Sequence, residues 1–403
     1  MSSLKSFKRS FRSCARNFIT ILSALYVAVV LLLTIPPIQT HALFMNSIKL
    51  PLFAQYDNPE AYGLAPGKTA NIQIFTPDNH TLGAWFILSD NVYQSIPFPP
   101  PPNAAEKAIP EALASQPTIL FFHGNAATRA FHVRVRQYSG FTSRVRANVL
   151  AIDYRGFGDS EGTPTEDGLV IDSRAAWDWL VSNGAKPEDI VIVGHSLGTA
   201  VSSKLAVALA EDDIHFKGLA LLSPFASLHT VVDTYSVFGF FPIMLPLTMV
   251  PGAADLYKSF LLARFDTLSI ISASITVIYS TSYELMRQTQ RVKVPLLILH
   301  AENDGDIPHQ HSDILFDSLL EPYLPPLHNT TMWKDWTEYE GQTMREKVRE
   351  TLVTRTHVQK FGIVHEFETS GRKLVLMKTL TGWHEPGIIE GVQDAIRHVF
   401  SFV

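Results

Sequence analysis

Ile190-Val191-Ile192-Val193-Gly194-His195-Ser196-Leu197-Gly198 is the stretch from which the rest of this chain can be read. Four apolar β-branched residues in a row, without polar alternation, mark a short strand buried on both faces. Directly after the second glycine a helical pattern runs over residues 199–210, with Val201, Leu205 and Ala208 on one face. Between the two lies G-x-S-x-G. A strand-to-helix turn this tight forces its central residue into a strained backbone conformation, and glycines on both flanks avoid collision there. The turn lifts Ser196 Oγ above the strand ends and sets it at a helix N-terminus, where free N–H groups favour developing negative charge. Gly194, His195 and Gly198 are therefore expected to form an elbow that presents Ser196 as a nucleophile.

The same texture extends to either side. Short continuous apolar runs at 118–122, 148–154, 218–222 and 294–299 alternate with helical patterns, the last of which carries Ile389, Val392, Ile396 and Val399 on one face. This predicts an α/β fold, a mostly parallel sheet covered by helices and joined by right-handed crossovers. Two β-rich stretches, 69–75 and 81–88, precede it with a turn between them. Residues 91–116, with the proline run 99–102, are expected as an extended surface excursion. Two stretches interrupt the rhythm. Residues 231–290 are very apolar yet broken by prolines and glycines, which suits an inserted cap better than a second membrane span. Residues 326–360 are charged and are expected as a solvated insertion.

A serine hydroxyl is a weak nucleophile at neutral pH and needs a base, itself oriented by an acid. Behind an elbow of this kind the acid follows a later strand and the base lies in the last loop before the final helix. After the run 294–299 stands His300-Ala301-Glu302-Asn303-Asp304-Gly305-Asp306, and Asp304 is the expected acid, with Asp306 and then Glu302 as alternatives. Gly382-Trp383-His384-Glu385-Pro386 occupies the last loop, so His384 is selected among 15 histidines by position. An oxyanion hole requires two backbone N–H groups. Leu197 supplies one as the residue after the nucleophile, and Asn125, in the His123-Gly124-Asn125 loop after the strand 118–122, supplies the other. His309 and His311 beside Asp306 raise the question of a metal, but a His-x-His at a helix start reads as surface; neither metal nor cofactor is expected.

The N-terminal end carries a separate signal. Residues 1–17 hold five basic residues and no acid, and residues 18–35 hold no charge at all. Eighteen helical residues span about 27 Å, enough for a thin bilayer, and Pro36-Pro37 stops the helix. The positive-inside rule places residues 1–17 in the cytoplasm as a basic tip, 18–35 as a transmembrane signal-anchor, 36–66 as a linker and 67–403 as a catalytic domain on the far side. Cleavage as a signal peptide after Thr40-His41-Ala42 is the alternative. Two sequons, at Asn79 and Asn329, suit a lumenal body. Cys14, the only cysteine, excludes a disulfide framework; it reads as an inert thiol, with palmitoylation as the alternative. Apolar residues at 46% and a net charge of −5 exclude a disordered chain and a broadly basic nucleic-acid binder.

Four blocks, 123–130 (HGNAATRA), 153–160 (DYRGFGDS), 194–200 (GHSLGTA) and 297–306 (LILHAENDGD), resemble the α/β-hydrolase-domain serine hydrolases. They look most like the branch containing the membrane-anchored lysophosphatidylserine and monoacylglycerol lipases, and the likeness covers roughly 117–227 and 292–403. It implies an α/β-hydrolase fold, Ser196, Asp304 and His384 as nucleophile, acid and base, a lipid ester as substrate and the bilayer as partner. It further implies an integral protein of the endoplasmic reticulum with a lumenal catalytic domain. A protein palmitoyl thioesterase would use the same residues, and a catalytically silent membrane scaffold is the non-enzymatic reading. The block 153–160 reads as a structural turn, since its glycines miss the spacing of a dinucleotide loop.

Overall fold

Short apolar runs become sheet strands because each can bury both faces only between two layers of helix. In the computed structural model, which describes residues 2–234, 244–272, 292–325, 338–369 and 372–402, ten strands form one sheet. In chain order they are β1 (Thr69–Phe75), β2 (Thr81–Ile87), β3 (Thr118–Phe122), β4 (Asn148–Ile152), β5 (Ile190–His195), β6 (Gly218–Leu222), β7 (Leu296–Ala301), β8 (Thr354–Val358), β9 (Gly362–Thr369) and β10 (Arg372–Thr379). Their spatial order is β1-β2-β4-β3-β5-β6-β7-β10-β9-β8. The six from β4 to β10 run parallel, and antiparallel pairs close both edges.

Every residue of β3 to β7 is buried. Successive side chains go to opposite faces, as the period of two requires. Leu120, Ile192 and Leu221 join Leu169, Trp177, Val201 and Leu205 of the helices Glu166–Ser182 and Leu197–Glu211. Ile119, Phe121 and Val193 instead join Tyr138, Phe141, Val392 and Ile396 of the helices His132–Ser143 and Glu390–Val399. At about 1.5–3 kcal/mol for each fully buried large aliphatic or aromatic side chain, these two layers dominate the stability. Because β3, β5, β6, β7 and β10 are parallel neighbours, the loops leaving their carboxyl ends all emerge along one rim.

The structure departs from the sequence expectations in several places. The excursion 91–116 contains a helix, Ala104–Ser115, with Ala105, Ile109, Ala112 and Leu113 in the core; Pro110 inside it had masked the helical spacing. The stretch read as a linker holds a helix, Pro36–Phe44, and Phe44 lies in the core. Residues 354–358, assigned to the charged insertion, form edge strand β8, and the antiparallel excursion β8–β9 delivers β10 beside β7. The rest of that insertion is the helix Glu338–Leu352, while 326–337, including the Asn329 sequon, lies outside the described residues. Of the cap, 235–243 and 273–290 lie outside them too. Its described part comprises short helices at Leu228–Thr234, Leu245–Thr248, Ala253–Ser259 and Thr267–Ser272. His311 is buried rather than on the surface, and its ring bonds Thr234 and the Ala226 N–H.

At the N-terminus one helix runs over Ser2–Leu32. Its residues 13–32 have a mean hydropathy of 1.9 and none is buried by the fold, so by length and composition the helix can cross a membrane or serve as a signal. Its final turn meets the body: Val30 and Leu33 pack against Val232, Met244 and Tyr257.

Candidate active site

Ser196 follows β5 with φ 51° and ψ −119°, a conformation closed to most side chains, and heads the helix Leu197–Glu211. The two glycines have steric reasons. A Cβ on Gly194 would sit 2.3 Å from the Gly198 carbonyl oxygen, and one on Gly198 would sit 2.0 Å from that of Phe122. The Ser196 N–H donates to the Leu222 carbonyl at 2.9 Å, which ties the elbow to β6. Leu197, the first residue of that helix, keeps its N–H clear of the helical ladder.

Asp304 leaves the end of β7 and His384 the end of β10, and His384 Nδ1 donates to Asp304 Oδ2 at 2.8 Å. The Asp304 carboxylate is fully buried. Its other oxygen accepts from the Asp306 and Ile307 N–H groups at 2.9 and 3.0 Å. Burial opposes its ionisation, but hydrogen bonds from His300 and His384 outweigh burial and hold it well below the usual carboxylate range. Burial likewise pulls His384 down, while the Asp304 bond and charge more than compensate and leave it above an ordinary histidine. Asp306 instead is raised by burial, and Glu302 is exposed, so of the three acids only Asp304 meets the histidine.

The loop after β3 passes close to the serine: a Cβ on Gly124 would lie 3.1 Å from the Ser196 Cβ. Ala126 and Ala127 follow in left-handed conformations at φ 54° and 52°. Buried Arg134 holds this loop from one side, its Nη2 donating to the carbonyls of Gly124, Asn125 and Ala126 at 3.1, 3.1 and 2.8 Å. Behind the loop lies the structural turn 153–160. Asp153 accepts from the Arg129 N–H and guanidinium at 2.7 Å, and Arg129 also pairs with Asp159 at 2.6 Å.

Ser196, Leu197, Asn125, His384 and Asp306 line one cavity of about 420 Å³, whose other walls are mostly apolar, among them Phe225, Leu228 and Phe265. Among the described residues Ser196 Oγ makes no hydrogen bond, so none closes the step from Ser196 to His384.

Sequence reasoning missed three supports. His195 Nε2 donates to the His384 carbonyl at 2.6 Å and so joins the elbow to the histidine loop; burial lowers the affinity of its ring for a proton. His300 Nε2 donates to Asp304 Oδ2 at 3.1 Å and shares that proton with the Ile307 carbonyl at 3.0 Å. Arg134 is the third. Asn303 Oδ1, in addition, accepts the Trp383 N–H at 2.9 Å, which links acid loop to histidine loop. His195 and His300 carried a signal, as polar residues at the ends of apolar strands.

A central parallel strand that runs through a strained serine into a helix is the arrangement of an α/β-hydrolase. Residues 119–340, more than half of the chain, match the alpha/beta hydrolase family. Lysophosphatidylserine lipase ABHD12 of Xenopus tropicalis is 30% identical over 368 residues, 87% of this chain and 86% of that protein. The protein of the same name in Rattus norvegicus is 31% identical over 299 residues, 73% and 67% of the two chains. An alpha-beta hydrolase from Vibrio vulnificus, known from its crystal structure, has a TM-score of 0.51 at 15% identity over 91% of this chain and 92% of its own, and shares the fold. The chain belongs to the alpha/beta hydrolase family and is homologous to lipases.

Proposed function

We propose that this protein is a membrane-anchored serine hydrolase of lipid carboxylic esters, a monoacylglycerol or lysophospholipid lipase. The observation that carries the reading is the Asp304–His384 hydrogen bond at a largely apolar cavity into which Ser196 also opens. With Nδ1 committed to Asp304, His384 Nε2 is left as the acceptor for the serine proton. Ser196 Oγ attacks the ester carbonyl, and the oxyanion rests on the Asn125 and Leu197 amides. His384 protonates the departing alcohol, and water activated by the same ring releases the fatty acid from the acyl-enzyme. The lysophosphatidylserine lipases to which the chain is similar support a lipid ester as substrate. Fluorophosphonate labelling of the full-length protein is expected, and it disappears in Ser196→Ala; labelling that survives removes Ser196 as nucleophile.

The anchor reading extends to orientation. Basic residues before the apolar helix favour a cytoplasmic tip and a lumenal body in the endoplasmic reticulum. Asn79, exposed in the β1–β2 turn, is then a glycan site. Glycosidase treatment is expected to increase gel mobility of the protein from cells, with the Asn79 contribution lost in Asn79→Gln; an unglycosylated Asn79 counts against the lumenal orientation.

A further inference from the structure

We propose that residues 36–50, the strap that leaves the membrane helix, are part of the catalytic centre: they brace the oxyanion loop and form one wall of the acyl cavity. The proposal rests on the roles given above to Ser196 and Asn125. Arg134 reaches only the carbonyl side of the loop. The N–H side is held by the strap, with Ala126 N donating to the Phe44 carbonyl at 2.9 Å, Ala127 N to Ile48 at 2.7 Å and Thr128 N to Leu50 at 3.0 Å. The loop therefore sits between a guanidinium and three carbonyls of the strap. Such support is what two consecutive left-handed alanines require, since a strained backbone persists only where its surroundings over-determine it. Asn125, immediately before them, takes its amide direction from that geometry.

The strap also closes the cavity. Gln39, Ala42, Leu43 and Met45 line it, together with Leu33 just before the strap and the cap residues Val232, Met244 and Tyr257. Gln39 is buried and latches strap to cap, its Nε2 donating to the Leu33 and Phe260 carbonyls at 3.0 and 3.1 Å and its Oε1 accepting the Leu262 N–H at 2.7 Å. Phe44 is buried edge-on against Phe265, another wall residue, with ring centroids 6.0 Å apart. A chain cut after Ala42 would lose Leu33, Gln39 and Ala42 from this wall. The membrane helix is therefore retained as an anchor, and the cavity opens beside the point where the chain leaves the bilayer.

The test uses full-length protein in detergent micelles. It compares Phe44→Ala, Phe44→Leu and Gln39→Ala with the parent, with rates expressed per fluorophosphonate-labelled site so that unfolded molecules are not counted. Displacing an oxyanion donor costs on the order of 10²–10³ in rate, and loosening its brace is expected to cost about 10-fold or more of that range. Phe44→Ala should lower kcat on p-nitrophenyl butyrate by that factor with KM nearly constant, and Phe44→Leu should restore most of it. Gln39→Ala should lose more activity on a monooleoylglycerol ester than on the butyrate, and it decides the matter if Phe44→Ala does not fold. Unchanged rates per labelled site in the folded variants overturn the proposal, even where the melting temperature falls. A parent that is not labelled at Ser196 sinks the hydrolase reading instead. Peptides from before residue 36 are expected in the active protein isolated from cells; an active form beginning at residue 43 also overturns the proposal.

Discussion

In the proposed mechanism His384 takes the serine proton, which it can do only while neutral, and its surroundings work against that. Burial disfavours the protonated ring, but the hydrogen bond and charge of Asp304, with the Glu385 and Asp306 charges, together outweigh it, so the ring titrates above the ordinary value of 6.5. Activity should therefore fall on the acid side, where the ring becomes protonated. The pH profile of kcat/KM on a soluble ester is expected to show an acid limb with its midpoint above 6.5. In Asp304→Asn that midpoint should move down, because the raising charge is gone, and kcat should drop by about 10⁴ as the ring loses its fixed tautomer. A midpoint unmoved in Asp304→Asn would remove Asp304 as the partner of the base. Ser196, Asp304 and His384 could be singled out along the chain because each occupies a required place in the chain order, and the Asp304–His384 hydrogen bond agrees with that choice. The supporting roles of His195 and His300 could not, since they depend on bonds made only in the folded loops, His195 to the His384 carbonyl and His300 to Asp304.

The loop 124–128, proposed above to supply an oxyanion donor, shows what single residues cannot do alone. Its conformation is held by the helix His132–Ser143, through Arg134, and by the strap. Replacing the guanidinium leaves three carbonyls without that donor, and each buried polar group so abandoned costs about 1–3 kcal/mol. Arg134→Met is expected to lower kcat about 10- to 100-fold with little change in KM, and Arg134→Lys to recover part of it, as read by steady-state kinetics on a soluble ester. An equal loss in both variants would make the planar fork, rather than charge, the essential feature. Nothing in His132-Val133-Arg134-Val135-Arg136 announced this role, because two arginines at alternate positions in a helix look alike until packing buries one. The same holds for β10, whose apolar run Leu374-Val375-Leu376-Met377 gives no hint that it lies beside β7.

For the whole molecule, the apolar helix and the rim that carries Ser196 and His384 meet at one place. The last turn of the apolar helix packs on the cap, which also exposes Met249 (75%), Leu256 (63%) and Leu262 (60%). Apolar side chains this exposed, beside a helix able to enter a bilayer, suit a face that rests on lipid. Met249→Glu with Leu256→Glu is expected to reduce turnover of a vesicle-embedded ester about 5- to 10-fold while leaving a soluble short-chain ester nearly unaffected; comparing the two substrates in reconstituted vesicles checks this. Equal effects on both would place the defect in folding of the cap.

What could be read along the chain were the features set by near neighbours: buried strands from continuous apolar runs, the elbow from two glycines around a serine, the apolar helix from its length. Those depend on sterics and hydropathy within a few residues. Closure of the histidine–aspartate pair and the two-sided grip on residues 124–128 bridge segments up to about 80 positions apart, and the strap as a cavity wall joins residues as far apart as Gln39 and Phe260, 221 positions; all are brought together by strand order. That order is chosen by which pairings bury both sheet faces at once, a property of the packed whole that no local stretch encodes.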